Sequence, residues 1–300
     1  MTARQRFLCS ESAARQEIRN LCQLYENGVV TGDLCSPLCR TGLVSFTGCG
    51  YQGKQKRESD ALKVMWGQGT EQDMQLVKYA SAVWRSLSLL LPQTEYVLAK
   101  AFQDTRVFPR IYGSCGHFYI QESCPSLGPL SISSSFVERA KFALGTLHFL
   151  QRVETNMPDH PIMCDLKLSN LGVCSNGEIR STDSNSFMFE STVPDVGCSR
   201  NSHCNFGTYC KFTCNVKQGK CVKGDNINLQ MVCSYVLAFP ANFGGKTARL
   251  LHDPPPAVAA DLKHVLSECV ALQPGEERRI MEQLKTVFNR SLLLLENGRQ

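Results

Sequence analysis

Asp165, Asn170 and Asp183 carry oxygen ligands at intervals that suit the transfer of a phosphoryl group. The first two lie in Met163-Cys164-Asp165-Leu166-Lys167-Leu168-Ser169-Asn170, and Asp183 follows Asp165 by 18 positions. Such a transfer needs an acidic group at the acceptor hydroxyl and oxygen ligands for a divalent ion, all held on a rigid frame. In that chemistry Asp165 is the base and Lys167 neutralises charge building on the phosphoryl oxygens, while Asn170 and Asp183 hold magnesium or manganese. The plainer reading of Asp165 and Asn170 is a polar turn that satisfies its own backbone groups. Three matching positions spaced around one hairpin weigh against it.

The elements that must position these groups are also readable. Leu171–Cys174 and Glu178–Thr182 flank Ser175-Asn176-Gly177, and an Asn-Gly pair between β-prone runs predicts a tight hairpin with positive φ at both central residues. That hairpin returns Asp183 to the side of Asp165 and Asn170. Upstream, Ser135 and Glu138 form a capping-box pattern, and Val137, Ala140, Leu144 and Leu147 recur at helical spacing behind it. Helix, loop, hairpin and second acid follow in the order that a protein-kinase C-lobe requires.

Asp-Leu-Lys-x-x-Asn at 165–170 resembles the protein-kinase catalytic segment. The cysteines narrow the likeness. Cys198, Cys204, Cys210, Cys214 and Cys221, with Cys164 before them and Cys22, Cys35 and Cys39 near the start, resemble the divergent protein kinase domain family, the cysteine-rich, kinase-like group of the endoplasmic reticulum. The resemblance implies an α+β, two-lobed protein-kinase-like fold with a disulfide-rich insertion at 198–221. It also implies ATP with magnesium or manganese, and a protein or glycan hydroxyl of the secretory pathway as acceptor. On this reading residues 1–50 form a cysteine-rich N-terminal segment, 51–123 an N-lobe-like part and 124–300 a C-lobe-like part.

The departures from the kinase pattern are specific. Met163-Cys164 stands where His-Arg normally precedes the catalytic Asp, and Asp183-Ser184-Asn185 replaces Asp-Phe-Gly. Without that arginine a phosphorylated activation loop loses its usual cationic partner. No Ala-Pro-Glu motif is visible, and the cysteine cluster occupies the region of the activation segment. These departures keep a second expectation beside the enzyme: a weak or inactive kinase-like scaffold that binds partners through its cysteine-rich surface.

The nucleotide-binding positions are less sharply marked. Gly48-Cys49-Gly50-Tyr51-Gln52-Gly53 matches the glycine loop that covers ATP phosphates, so Gly48, Gly50 and Gly53 are candidates, with a glycine-rich turn stapled by Cys49 as the alternative. The phosphate-holding lysine is assigned to Lys78, after Met74-Gln75-Leu76-Val77, paired with Glu95 on a helix predicted over Glu95–Phe102. Lys63 is the runner-up, both lysines also read as solvated surface groups, and Lys54–Trp84 fits the family pattern worst. Arg110–Ser114 and His117–Gln121 read as paired strands leading into Glu122-Ser123, the adenine-receiving hinge of a kinase-like fold. His117 lacks a nearby orienting carboxylate and reads as structural or exposed.

Sixteen cysteines in 300 residues point to an oxidising compartment, although pairing cannot be read from sequence. Zinc is the alternative for Cys198–Cys221, but the intervals lack both a Cys-x-x-Cys pair and a histidine pair, which favours disulfides. A net charge of +5, spread without a basic run, gives no support to nucleic-acid binding. The start has no apolar core of signal-peptide length, and no run approaches the roughly 18–20 apolar residues of a membrane span. Members of the resembled family are type II membrane proteins, so the expectation is a truncated or spliced form whose N-terminal anchor is absent from this sequence. Pro254-Pro255-Pro256 precedes two amphipathic helices expected over Ala257–Leu272 and Glu276–Glu296. Asn289-Arg290-Ser291 fits the glycosylation acceptor pattern, but it falls in the second helix, where a transferase has poor access, so chance is the better explanation of the match.

Overall fold

The structure is a computed structural model and describes residues 22, 23, 26, 27, 85, 86, 89–157, 160–185, 187–190, 198, 204–206, 210–222, 228–237, 249–273 and 275–297. Gly48, Gly50, Gly53, Lys63 and Lys78 lie outside these residues. The chain divides into two compact units, one comprising 1–103 with 110–122 and the other 104–109 with 123–300.

In the first unit, helix α1 (Thr94–Ala101) carries Glu95 in its first turn and Lys100 in its last, matching the helix dipole at both ends. Strands β1 (Ile111–Cys115) and β2 (Phe118–Gln121) pair antiparallel around Gly116, whose φ of 57° suits a glycine. Tyr96 of α1 packs on Tyr119 of β2 with ring centroids 5.0 Å apart, and its hydroxyl is 3.3 Å from the Ser114 hydroxyl. Gln93 fastens the turn by donating to the His117 carbonyl at 2.9 Å. His117 itself is exposed.

In the second unit, Ser126 caps α2 (Leu127–Ser133), and the capping box of Ser135 and Glu138 opens α3 (Phe136–Asn156). Glu138 accepts from the Ser135 backbone N–H at 2.8 Å, while the Ser135 hydroxyl accepts from the Glu138 N–H at 3.3 Å. Both orphan donors at this helix start are thereby satisfied. Val137, Ala140, Ala143, Leu147, Leu150 and Val153 form the buried face of α3. Each fully buried leucine or valine contributes on the order of 1.5–3 kcal/mol by leaving water.

Strand β3 (Pro161–Met163) runs antiparallel to β6 (Phe187–Phe189), and between them β4 (Leu171–Val173) and β5 (Ile179–Ser181) form the hairpin. The hairpin is present where expected, but its turn is of another kind. Gly177 alone has positive φ, at 79°, and its N–H donates to the Cys174 carbonyl at 2.8 Å. The Cys174 N–H then bonds the Glu178 carbonyl at 2.9 Å, and the Asn176 side chain accepts from the Glu178 N–H at 3.1 Å. The result is a three-residue loop closed by glycine, rather than a two-residue turn with two left-handed residues. Opposite the hairpin, a Cβ at Gly145 would sit 3.0 Å from Ile179, so the missing side chain lets α3 approach β5.

The remaining elements close the unit. Strands β7 (Cys204–Phe206), β8 (Cys210–Asn215) and β9 (Lys220–Val222) form an antiparallel sheet in the order β7-β8-β9. Helix α4 (Asn228–Val232) continues into a π-helical turn at Cys233–Leu237, followed by α5 (Pro256–Val270) and α6 (Glu277–Asn297). Helices α5 and α6 lie within a residue or two of their expected bounds. Ile280, Leu284, Phe288 and Leu292 recur every fourth residue and face the interior, where α6 packs against α3 and α5. Among the described residues no helix is long and apolar enough to cross a membrane.

Every described cysteine is disulfide-bonded. Cys198 pairs with Cys214 and Cys204 with Cys221, inside the cysteine-rich segment. The Sγ atoms of Cys198, Cys204 and Cys221 lie within 4.8 Å of one another, yet each is committed to a disulfide, so these three offer no thiolate set for zinc. Cys210 instead reaches out of the segment to Cys164, and Cys233 joins Cys269 of α5. Cys124 bonds Cys174, beside Gly172, where any Cβ would collide with the Cys124 carbonyl.

Candidate functional site

The loop after β3 folds around one side chain. Asn170, only 5% exposed, donates from Nδ2 to the Asp165 carbonyl at 2.8 Å and to the Asp165 carboxylate at 3.2 Å. Lys167 Nζ donates to the same carboxylate oxygen, Oδ2, at 2.6 Å. The short 3-10 turn Leu168–Asn170 closes with the Asn170 N–H on the Lys167 carbonyl at 3.0 Å. The Asn170 Oδ1 accepts from the Ser169 hydroxyl at 3.1 Å. A carboxylate and an amide oxygen thus stand side by side on a loop that a buried amide holds together.

The hairpin brings the second acid to this loop. The Thr182 N–H donates to the Asn170 carbonyl at 2.9 Å, which sets Asp183 next to the loop through backbone alone. Ser181 fixes the Asp183 carbonyl from its hydroxyl at 3.2 Å, and the Asp183 Oδ1 receives the Asn185 N–H at 3.3 Å. Met163, Asp165, Leu166, Asn170, Ser181, Asp183 and Phe187 line one small depression. Asp165, Asn170 and Asp183 therefore meet at one place, and Lys167 reaches it through its ion pair with Asp165.

Charge and exposure differ across the depression. The Asp165 side chain is 15% exposed and that of Lys167 41% exposed, so the lysine can turn toward an incoming anion while the carboxylate stays oriented. A part-exposed pair of this kind contributes about 1 kcal/mol or less to stability, so its value lies in orientation. The donor set is entirely oxygen: two carboxylates, an amide and a hydroxyl. Hard, oxygen-only ligands suit magnesium and manganese and disfavour zinc or copper.

Several supporting residues carry no signal in the sequence. Asn228, the first residue of α4, accepts from the Met163 N–H at 3.1 Å and donates to the Pro161 carbonyl at 2.7 Å. It clamps the strand that feeds Asp165 although it lies 65 residues beyond Met163 along the chain. Cys210 does the same covalently through Cys164, which directly precedes Asp165. Phe187 lines the depression and packs on Phe108, with ring centroids 5.2 Å apart and the rings tilted by 58°. Ser184 is buried, at the position where a kinase carries phenylalanine.

Replacing Asn228 by alanine leaves a strand N–H and a strand carbonyl without their partner. The expected cost is about 1–3 kcal/mol, read as a lower denaturant midpoint at unchanged m-value. An unchanged midpoint would show that the clamp contributes nothing.

Glu95 sits in the first turn of α1 close to Tyr119. Burial pushes the Tyr119 hydroxyl up to about 12, and the negative charge of Glu95 and the neighbouring Tyr96 add to the effect. The expected partner of Glu95, Lys78, lies outside the described residues, as do Gly48, Gly50 and Gly53.

Two family models match the chain. Residues 87–272 match the protein-kinase domain of FAM69, and residues 3–82 match its N-terminal cysteine-rich ER segment. The chain belongs to this divergent, cysteine-rich, kinase-like family, as the sequence resemblance implies.

Proposed function

We propose that the protein transfers the γ-phosphoryl group of ATP to a hydroxyl of a protein or glycan in the endoplasmic reticulum. The observation that carries this reading is the convergence of Asp165, Asn170 and Asp183 on one depression, with Lys167 paired to Asp165, in a chain of a kinase-domain family. The setting in the endoplasmic reticulum follows the description of the matching N-terminal segment and the oxidised state of every described cysteine.

Asp165 accepts the proton of the acceptor hydroxyl as the new O–P bond forms, held in aim by the Asn170 amide and by Lys167. Lys167 swings from the carboxylate toward the phosphoryl oxygens as their charge grows. Asn170 and Asp183 hold magnesium or manganese, which when bound supplies charge neutralisation to the phosphate oxygens. Lys78 paired with Glu95, and the glycines Gly48, Gly50 and Gly53, are assigned to the nucleotide phosphates on their sequence pattern alone. Lys63 is the alternative to Lys78.

A second reading is favoured by Cys164 and Ser184. The first is locked in a disulfide where a kinase has its arginine, and the second is buried where a kinase has phenylalanine. On this reading the domain is a weak or inactive scaffold that recruits partners through its cysteine-rich surface. A thermal-shift titration with ATP and magnesium bears on both readings, because a ligand bound only by the folded state must raise the midpoint. At 100 times Kd the gain is roughly 2.7 kcal/mol. Asp183→Ala is expected to abolish the metal-dependent part of this gain and leave the unliganded midpoint near wild type. Equal stabilisation of both proteins removes Asp183 from the metal site.

A further inference from the structure

Asn289-Arg290-Ser291 is the one Asn-x-Ser/Thr tripeptide in the whole sequence, and neither the phosphoryl-transfer site nor the cysteine framework uses it. The tripeptide lies on α6, and its three residues point to different environments. Asn289 is exposed and Arg290 forms an outward ion pair with Asp261 at 3.5 Å, while Ser291 is 3% exposed. One turn beyond Asn289, at the i+4 position on the same face, Leu293 is 62% exposed, and Leu294 beside it is 49% exposed. Both are among the more exposed large apolar side chains of the described residues.

We propose that Asn289 is an N-glycosylation site, modified while the chain enters the endoplasmic reticulum and before α6 docks. The proposal rests on the endoplasmic-reticulum setting, and not on kinase activity. The transferase reads the hydroxyl of the third residue, and here that hydroxyl is inside the folded protein. The acceptor is therefore legible only in the unfolded chain and closes on folding. The product, in contrast, is compatible with the fold: Asn289 projects from the side of α6 opposite Ile280, Leu284 and Phe288, so a glycan extends into water and none of the packing against α3 and α5 changes. A glycan there also lies over Leu293 and Leu294, giving a polar cover to an apolar strip. The helix, an obstacle to a transferase acting on folded protein, is no obstacle when modification precedes it.

In the reaction the Asn289 Nδ2–C1 bond forms as the bond between C1 of the sugar and the oxygen of its lipid-pyrophosphate carrier breaks. The pyrophosphate leaves with the bonding electron pair and the amide gives up one proton, so no oxidant or reductant is needed.

The test places a cleavable secretory signal and a tag bearing one efficient acceptor tripeptide ahead of the full chain, and translates it with endoplasmic-reticulum microsomes. The tag acceptor reports entry into the lumen on every molecule. Wild type is expected to show two endoglycosidase-sensitive steps on a gel, Asn289→Gln one step, and Ser291→Thr two steps at equal or higher occupancy. Purified, folded, unmodified chain offered to detergent-solubilised transferase and lipid-linked donor is expected to gain none. A wild-type chain that carries the tag glycan and leaves Asn289 bare overturns the proposal while leaving the kinase reading intact. Efficient modification of the folded chain overturns the ordering of modification before folding.

Discussion

Asp165→Asn is expected to keep ATP affinity near wild type and to lower phosphoryl transfer by two or more orders of magnitude, on the order of 3 kcal/mol in the barrier. A carboxylate that takes the proton of the acceptor acts mainly in the chemical step, because catalysis comes from interactions that strengthen in the transition state. The structure makes the substitution a clean one. The introduced amide retains an oxygen at the position that receives Asn170 Nδ2 at 3.2 Å and Lys167 Nζ at 2.6 Å, so the loop keeps its shape and loses only basicity and charge. The measurement is transfer of labelled γ-phosphate by oxidised, purified protein to secretory-pathway extracts, beside an ATP-binding titration of both proteins. A variant that transfers as well as wild type removes Asp165 from the chemistry. Two proteins that bind ATP and transfer nothing establish the scaffold.

Removal of the Cys164–Cys210 disulfide, as the Cys164→Ala, Cys210→Ala double variant, is expected to cost about 4 kcal/mol. The bond closes 46 residues, and a cross-link of that span restricts the unfolded chain by about that amount in the loop-entropy description. In a unit of this size the midpoint of thermal unfolding falls by roughly 10 °C. The Cys198–Cys214 bond closes only 16 residues, so its removal is expected to cost less, about 3 kcal/mol. The two variants also separate stability from function. Cys164 adjoins Asp165, so loss of its bond lowers transfer in protein that is still folded at the assay temperature, whereas loss of Cys198–Cys214 leaves transfer near wild type. A Cys164/Cys210 variant that melts with wild type shows that the bond does not hold the loop.

The bond has a physical counterpart in the kinase pattern that the sequence departs from. An arginine before the catalytic aspartate ties the loop to a phosphate on the activation segment, a tie that phosphorylation makes and dephosphorylation breaks. Here the same position is tied covalently to β8. The loop is held without a phosphate, which agrees with the absence of an Ala-Pro-Glu motif from the sequence.

The features legible in the sequence were those set by short separations along the chain. The spacing of Asp165, Lys167 and Asn170 fits within one loop, and the capping box of Ser135 and Glu138 is a three-residue exchange of hydrogen bonds. The hairpin that returns Asp183, and the bounds of α1, α5 and α6, follow from turn residues and helical periodicity in the same way. The type of turn did not, because Asn176-Gly177 permits both a two-residue loop and the observed three-residue loop, and the choice is made by the pairing of Cys174 with Glu178. Asn228 on the β3 strand, Phe187 against Phe108, and Cys210 bonded to Cys164 rather than within its own cluster were decided by the tertiary structure alone. An asparagine, a phenylalanine and a cysteine have many possible partners at long range. Which of them they meet depends on how the elements pack, and local residue patterns do not encode that.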